Sequence, residues 1–302
     1  MVSHREEPKG TPILDFYNSE DAFVVGKHVD WSTGHGIGFW LASWGGPGSD
    51  MQIRQIFANS LIQDVKIGIL YESTARLRSK PPPNRPDEEN YDLSDKANID
   101  ILTSDVSHLT DSFFVFPQYV KSKGSPIIFF YYSRSYTGDI QHTMGLIRDT
   151  AQDNGCRIFI IGDEVFWDSP NSVSIERFRP YDAITQYSMH PTAGLGVTDS
   201  NYETMLDSAF AEWSSRASDA GVKFILMATP GRTTTHSPDA YLTRDRFRFA
   251  RRLRIATDHM GPELRTIMIT SFNEWFEGTN VEPSVEDGFE YPQTIRDTLA
   301  QH

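Results

Sequence analysis

Glu274 and Glu277 stand three residues apart at the end of an apolar run, Ile267-Met268-Ile269-Thr270-Ser271-Phe272, and are bracketed by Asn273, Trp275, Phe276 and Gly278. Carboxylates at a strand exit beside large rings are partly desolvated. Desolvation raises the pKa of one of them, as a general acid near neutrality requires. The partner stays ionised if Asn273 or backbone amides donate to it. Two carboxyl groups in unequal surroundings are the apparatus of glycoside hydrolysis. Trp275 and Phe276 could offer the flat apolar surface on which the C–H face of a sugar sits. The same spacing also suits solvated loop charges or partners of arginines.

Other candidates follow other apolar runs. Glu72 ends Ile69-Leu70-Tyr71, where substrate hydrogen bonding and a structural ion pair are both open. Tyr132 and Arg134 form a pair suited to sugar hydroxyls or to rim packing. Tyr187 and His190 precede Pro191, and His190 could titrate near neutral pH or serve as a hydrogen-bonded rim residue. Trp44 is a candidate ring platform, with core filling as its competing role. Asp163 and Glu164, beside Trp167, form a second acidic exit and are the reserve catalytic carboxylates. The nine histidines show no metal-ligand spacing, so neither a catalytic metal nor a cofactor is expected. Gly45-Gly46-Pro47-Gly48-Ser49 lacks the lysine of a phosphate loop.

These residues need elements to hold them. Seven short apolar runs recur at 36–44, 66–73, 126–134, 157–164, 182–189, 223–231 and 266–275. They are continuous rather than alternating, which predicts strands of a parallel sheet buried on both faces. Helical patterns separate them. An apolar stripe runs through Ile53, Ile56, Phe57, Leu61 and Ile62. Ser200-Asn201-Tyr202-Glu203 reads as a capping box, Ser237-Pro238 as a helix start, and Tyr291 to Gln301 as a closing helix. The arginine-rich stretch from Arg244 to Arg254 predicts an outer helix with Phe247, Phe249 and Leu253 toward the barrel.

The fold class is therefore α/β, either doubly wound or an eightfold (β/α)8 barrel of the TIM type. Chemistry-bearing residues at the exit of nearly every run favour the barrel. One domain spans 1–302, with 1–18 an irregular N-terminal segment. Seven strands can be counted rather than eight, and a first strand would have to come from Pro12 to Tyr17. An absent strand would leave a seam favouring self-association into a homo-oligomer. The segment Lys80 to Asn90, rich in proline, predicts a long loop, read as a candidate cover for the site.

The chain has 302 residues, 38% hydrophobic and 12% aromatic, enough to bury a sizeable core, which excludes disorder and coiled coil. Its formal charge of −13 opposes a sequence-independent grip on nucleic acid or anionic membrane. One cysteine, Cys156, excludes an intrachain disulfide. No run approaches a bilayer span, and Met1 to Gly10 has no signal-peptide core, so a cytoplasmic location is favoured unless an export signal lies outside this chain.

The segment Asn273-Glu274-Trp275-Phe276-Glu277-Gly278-Thr279-Asn280-Val281-Glu282-Pro283 resembles the Asn-Glu-Trp-His-Glu-Gly-Thr-Gln-Ile-Glu-Pro signature of glycoside hydrolase family 99, matching eight of its eleven positions. These are endo-α-1,2-mannosidases and endo-α-1,2-mannanases. Ser43-Trp44-Gly45-Gly46-Pro47-Gly48 is similar to the family's Ser-Trp-Trp-Gly-Pro-Gly segment. The resemblance implies a (β/α)8 barrel, metal-independent hydrolysis with retention, and a route through a 1,2-anhydro sugar. It implies that Glu277 is the acid/base and Glu274 the base toward the 2-hydroxyl. Asn273, Trp275 and Glu282, within the same segment, join the substrate-binding candidates. The implied partner is an oligosaccharide or glycoconjugate with α-linked, mannose-like residues. Phe276 stands where the family has His, and the family's aromatic first-strand segment is not found. Those two departures motivate an alternative, a non-catalytic or biosynthesis-associated carbohydrate-binding protein of the same fold. A glycosidase of another linkage, using Asp163 or Glu164, is a third.

Overall fold

The computed structural model describes residues 9–59, 64–86, 88–169, 171, 173–233 and 240–301. The seven apolar runs become strands β1 (Phe39–Trp44), β2 (Lys66–Glu72), β3 (Ser125–Tyr131), β4 (Phe159–Asp163), β5 (Ala183–Thr185), β6 (Lys223–Phe224) continuing into β7 (Leu226–Ala228), and β8 (Ile267–Ile269). Strands β1 to β6 pair in sequence order, each parallel to the next, and β7 pairs in parallel with β8. Only Ile225 separates β6 from β7, and its amide donates to the Ile184 carbonyl, so the pair is one bent strand. Helices follow most strands: α2 (Asp50–Ala58) after β1, α3 (Lys96–Ser112) after β2, α4 (Ile140–Asp153) after β3, α5 (Tyr202–Ala220) after β5, α6 (Arg246–Asp258) after β7 and α7 (Glu290–Leu299) after β8, with α1 (Ala22–Thr33) leading β1. Parallel strands demand such crossovers.

The register explains how the interior is layered. Leu70 lies opposite Phe129, Phe129 opposite Ile161, and Ile161 opposite Ala183. With Phe159 and Ile225 these form one apolar cluster, distinct from the larger core between strands and helices. Two residues further along, the period-2 alternation brings Glu72 opposite Tyr131, and Asp163 opposite Thr185. The floor is therefore apolar and the level above it, at the carboxyl ends, is polar.

Among the described residues no strand joins β8 to β1, and the barrel is open there. Strands β2 and β4 are almost wholly buried, whereas β8 is half-buried throughout and β1 nearly so. A cavity of about 860 Å³ runs along this seam, lined by Ile37, Phe39 and Leu41 on one side and Ile267 and Ile269 on the other. Residues Pro12 to Tyr17 do not close the gap. They lie against the loop after β8, through a bridge from Pro12 to Ser284 and an Ile13 amide donating to the Pro283 carbonyl.

Three local expectations are corrected. The capping box before α5 is Thr198 with Asn201, not Ser200 with Glu203. Glu203 instead accepts from Arg248 and Arg252. On α6, Phe249 and Leu253 are buried as expected, but Phe247 is 69% exposed and Arg252 is fully buried. Phe247 and Phe249 are two residues apart and so about 200° around the helix, which prevents both from facing inward. Ser237-Pro238, Leu61 and Ile62 lie outside the described residues. The loop from Lys80 to Asn90 closes on itself through the Lys80 amide and the Asn90 carbonyl, and none of its described residues lines the cavity.

Candidate active site

The loop after β8 is laced by its own small polar residues. The Ser271 hydroxyl accepts from the Glu274 amide at 2.8 Å, and the Ser271 amide donates to the Thr279 carbonyl at 2.8 Å. Val281 returns an amide to the Ser271 carbonyl. At Gly278 the chain takes φ +64°, and a Cβ there would lie 1.9 Å from the Thr233 hydroxyl, so only glycine fits. The tight loop holds Glu274 and Glu277 on one turn.

Glu274 lines the cavity, as do Glu72, Asn273 and Tyr187. Glu277 sits at its margin, 3.1 Å from the Arg232 guanidinium, while the Thr233 amide donates to its carbonyl. Tyr187 reports where the carboxylates converge. Burial raises the pKa of its phenol, and the negative charges of Glu277, Glu274 and Glu72 raise it further. The phenol is therefore neutral, in the field of three carboxylates. Glu72 is itself raised by burial and by Glu274, against a lowering hydrogen bond from the Ser43 hydroxyl.

The second acidic exit is occupied otherwise. Asp163 accepts from the Tyr132 amide at 2.9 Å and the Tyr187 amide at 2.8 Å, one on each oxygen. Burial pushes its pKa up to about 6 even though Arg134 and both amides pull it down. Tyr132 is held at φ 62°, in the left-handed region uncommon for a residue with a side chain. Glu164 accepts from Ser133 and from Arg177. Both carboxylates pin strand exits, leaving neither free as a reserve catalytic group.

Three expected contacts are placed differently. Trp44 is wholly buried, its Nε1 donating to Asp50 with Arg76 over its ring, so it is core and not a platform. Trp275 is also buried, donating through Nε1 to Glu282. Glu282, 2% exposed, further accepts from the Tyr17 hydroxyl at 2.6 Å and lies 2.9 Å from His28 Nε2. It is saturated, and it acts as the anchor holding the loop to the N-terminal segment. Arg134 lies on the Phe166 ring, and His190 meets the edge of the same ring. Burial, with the charges of Arg232 and Arg134, lowers the His190 pKa to about 4, so the ring is neutral at neutral pH.

In and around the cavity stand residues sequence reasoning passed over. Trp40, its Nε1 donating to Ser32, supplies the half-exposed indole that Trp44 does not. Its signal was strand parity, since Trp40 and Trp44 share one face of β1 and only their depth separates them. Gln186, 2% exposed, lines the cavity with both amide atoms unpartnered. Tyr131 meets the Tyr187 ring edge-to-face at 5.0 Å. Arg232 carried no motif; only the fold brings it to Glu277. Among the described residues no cluster of His, Cys, Asp and Glu could hold a metal ion.

No family model matches the sequence, and no curated protein matches it. Solved structures do. The fold is that of the glycoside-hydrolase barrels: a glycoside hydrolase-like protein superposes with TM-score 0.80 at 16% identity, covering 97% of this chain and 90% of that one. More particularly, it is similar to the family GH99 endo-α-mannosidase from Bacteroides thetaiotaomicron, with TM-score 0.73 at 18% identity over 97% of this chain and 84% of that one. The endo-β-1,4-mannanase from Thermotoga petrophila is more distant, at TM-score 0.55 and 9% identity, over 99% and 77% of the two chains. The resemblance seen in the sequence is thus matched by a shared fold.

Proposed function

We propose that the chain is a retaining, endo-acting α-mannosidase-like glycoside hydrolase that uses no metal and acts on a glycan or glycoconjugate with α-linked, mannose-like residues. The observation that carries the proposal is that Glu72 and Glu274 line one cavity with Tyr187 and Asn273 at the carboxyl ends of the strands, with Glu277 three residues on in the same tight loop. Glu274, lining the cavity, removes the proton of the 2-hydroxyl. The freed oxygen attacks the anomeric carbon, the bond from that carbon to the leaving oxygen breaks as Glu277 gives that oxygen a proton, and a 1,2-anhydro sugar forms. Water activated by Glu277 then opens that ring at the anomeric carbon, while O2 recovers its proton from Glu274. Two inversions give net retention. Trp40, Tyr187 and Gln186 supply the apolar wall and the hydrogen-bonding groups that orient the ring, with Tyr131 packed behind Tyr187.

Substituting each carboxylate separates the roles. Glu277→Gln should slow release from an α-1,2-linked mannoside by about 10²–10⁴-fold, and much less when the leaving group is an aryl oxide that needs no proton. Glu274→Gln should slow both substrates alike. Equal loss on both substrates for Glu277→Gln removes its assignment as acid. Native rates in both variants remove the enzyme reading. One observation favours a carbohydrate-binding role without turnover: Arg232 already engages Glu277. Glycan binding by calorimetry with no product on any α-linked panel would select it.

A further inference from the structure

Arg232 beside Glu277, and Arg134, whose charge acts with that of Arg232 on His190, are placed for more than a neutral sugar. Arg134 lies flat on Phe166, 4.1 Å from guanidinium carbon to ring centroid, and a second ring, Tyr132, lies 5.3 Å away. Among the described residues no carboxylate lies within ion-pairing distance of it. The nearby Asp163 has each oxygen taken by a backbone amide. His190 meets the edge of the same Phe166 ring at 5.5 Å, and its buried Nδ1 has no hydrogen-bond partner. Arg232 spends one nitrogen on Glu277, while its buried Nε has none. A guanidinium held on rings, with unpartnered nitrogens on two neighbouring half-buried side chains, is an arrangement suited to an acceptor with negative charge. Most of the chain opposes anions, with a net charge of −13, so two guanidinium groups at this point are a local feature.

We propose that the sugar on the leaving-group side of the scissile bond carries a fixed anion, a carboxylate or an ester of sulfate or phosphate, bound by Arg134 with His190 and Arg232 beside it. The inference rests on the assignment of Glu277 as the acid, which places these residues on the leaving side. It narrows the substrate to an acidic glycan.

Calorimetric titration of the full chain carrying Glu274→Gln, which stops turnover, tests this with three probes: mannosyl-α-1,2-glucose, its counterpart with glucuronic acid as the reducing-side ring, and a 6-O-sulfated counterpart. At least one acidic probe should bind about tenfold more tightly than the neutral one, with the preference shrinking as salt rises. Which acidic probe gains distinguishes a planar carboxylate from a tetrahedral ester. Adding Arg134→Gln should collapse the preference and Arg134→Lys should restore part of it, with thermal melting checking the fold. Equal affinity for all three probes, or a preference that survives Arg134→Gln, overturns the inference and leaves the hydrolase reading intact. If no probe binds, the proposed function fails, and the inference with it.

Discussion

Single residues here work through the groups they immobilise. Asp163 ties Tyr132 and Tyr187 into one rim, and its burial has a pH signature. Its folded-state pKa is raised to about 6, against about 4 for an unfolded aspartate. Between those values the folded chain keeps a proton that the unfolded chain has lost. Stability therefore falls as pH rises through this window and stays at the lower level above it. Asp163→Asn should remove that slope while lowering stability by about 1–3 kcal/mol, because the asparagine NH2, a donor, would face one of the two backbone amides that the carboxylate oxygens accept. Melting curves across pH check both points; an unchanged profile contradicts the assignment. Gly278 makes a second case. Alanine there meets the Thr233 hydroxyl and must hold φ +64°, costing about 1–3 kcal/mol. The loop should shift and turnover should fall further than the melting temperature suggests, so native turnover in Gly278→Ala would show that this turn does not set the position of Glu277.

At the scale of elements, the strands were legible because continuous apolar runs have few other readings. The chemistry at their exits was legible in kind, less so in assignment. Residue type marks a tryptophan as a candidate ring platform, but only packing shows that Trp44 and Trp275 are sealed while Trp40 is open. Glu282 resembled a substrate contact because it belongs to the motif. Its partners Tyr17 and His28 lie more than 250 positions away in sequence, too distant for any local pattern. Gln186 lies within the run 182–189 and Arg232 just beyond 223–231, but neither belongs to a motif that singles it out from its neighbours. The seam has its own consequence. Strand β1 pairs only with β2, and β8 only with β7, so part of each strand's amides face the cavity. Hydrogen exchange should be markedly faster in Phe39–Trp44 and Ile267–Ile269 than in β3 or β4, which are paired on both sides. Uniform protection across all strands would mean that the seam is closed in solution.

Over the whole molecule, the apolar floor, the polar level above it and the ring of strand exits form one arrangement, and the sheet's register dictates all three. The count of seven strand runs anticipated the open side. No pattern in the sequence indicated that the opening would be continuous with the carboxylate site, because that depends on how β8 and β1 face each other across space. No helix among the described residues is long and apolar enough to cross a membrane. The central claim is that one carboxylate acts on the 2-hydroxyl and the other on the leaving oxygen. Proton NMR of the first product released from an α-1,2-linked mannoside reads the two successive inversions that this claim requires. The account predicts that the α anomer forms first and mutarotates later; a β anomer forming first would contradict it.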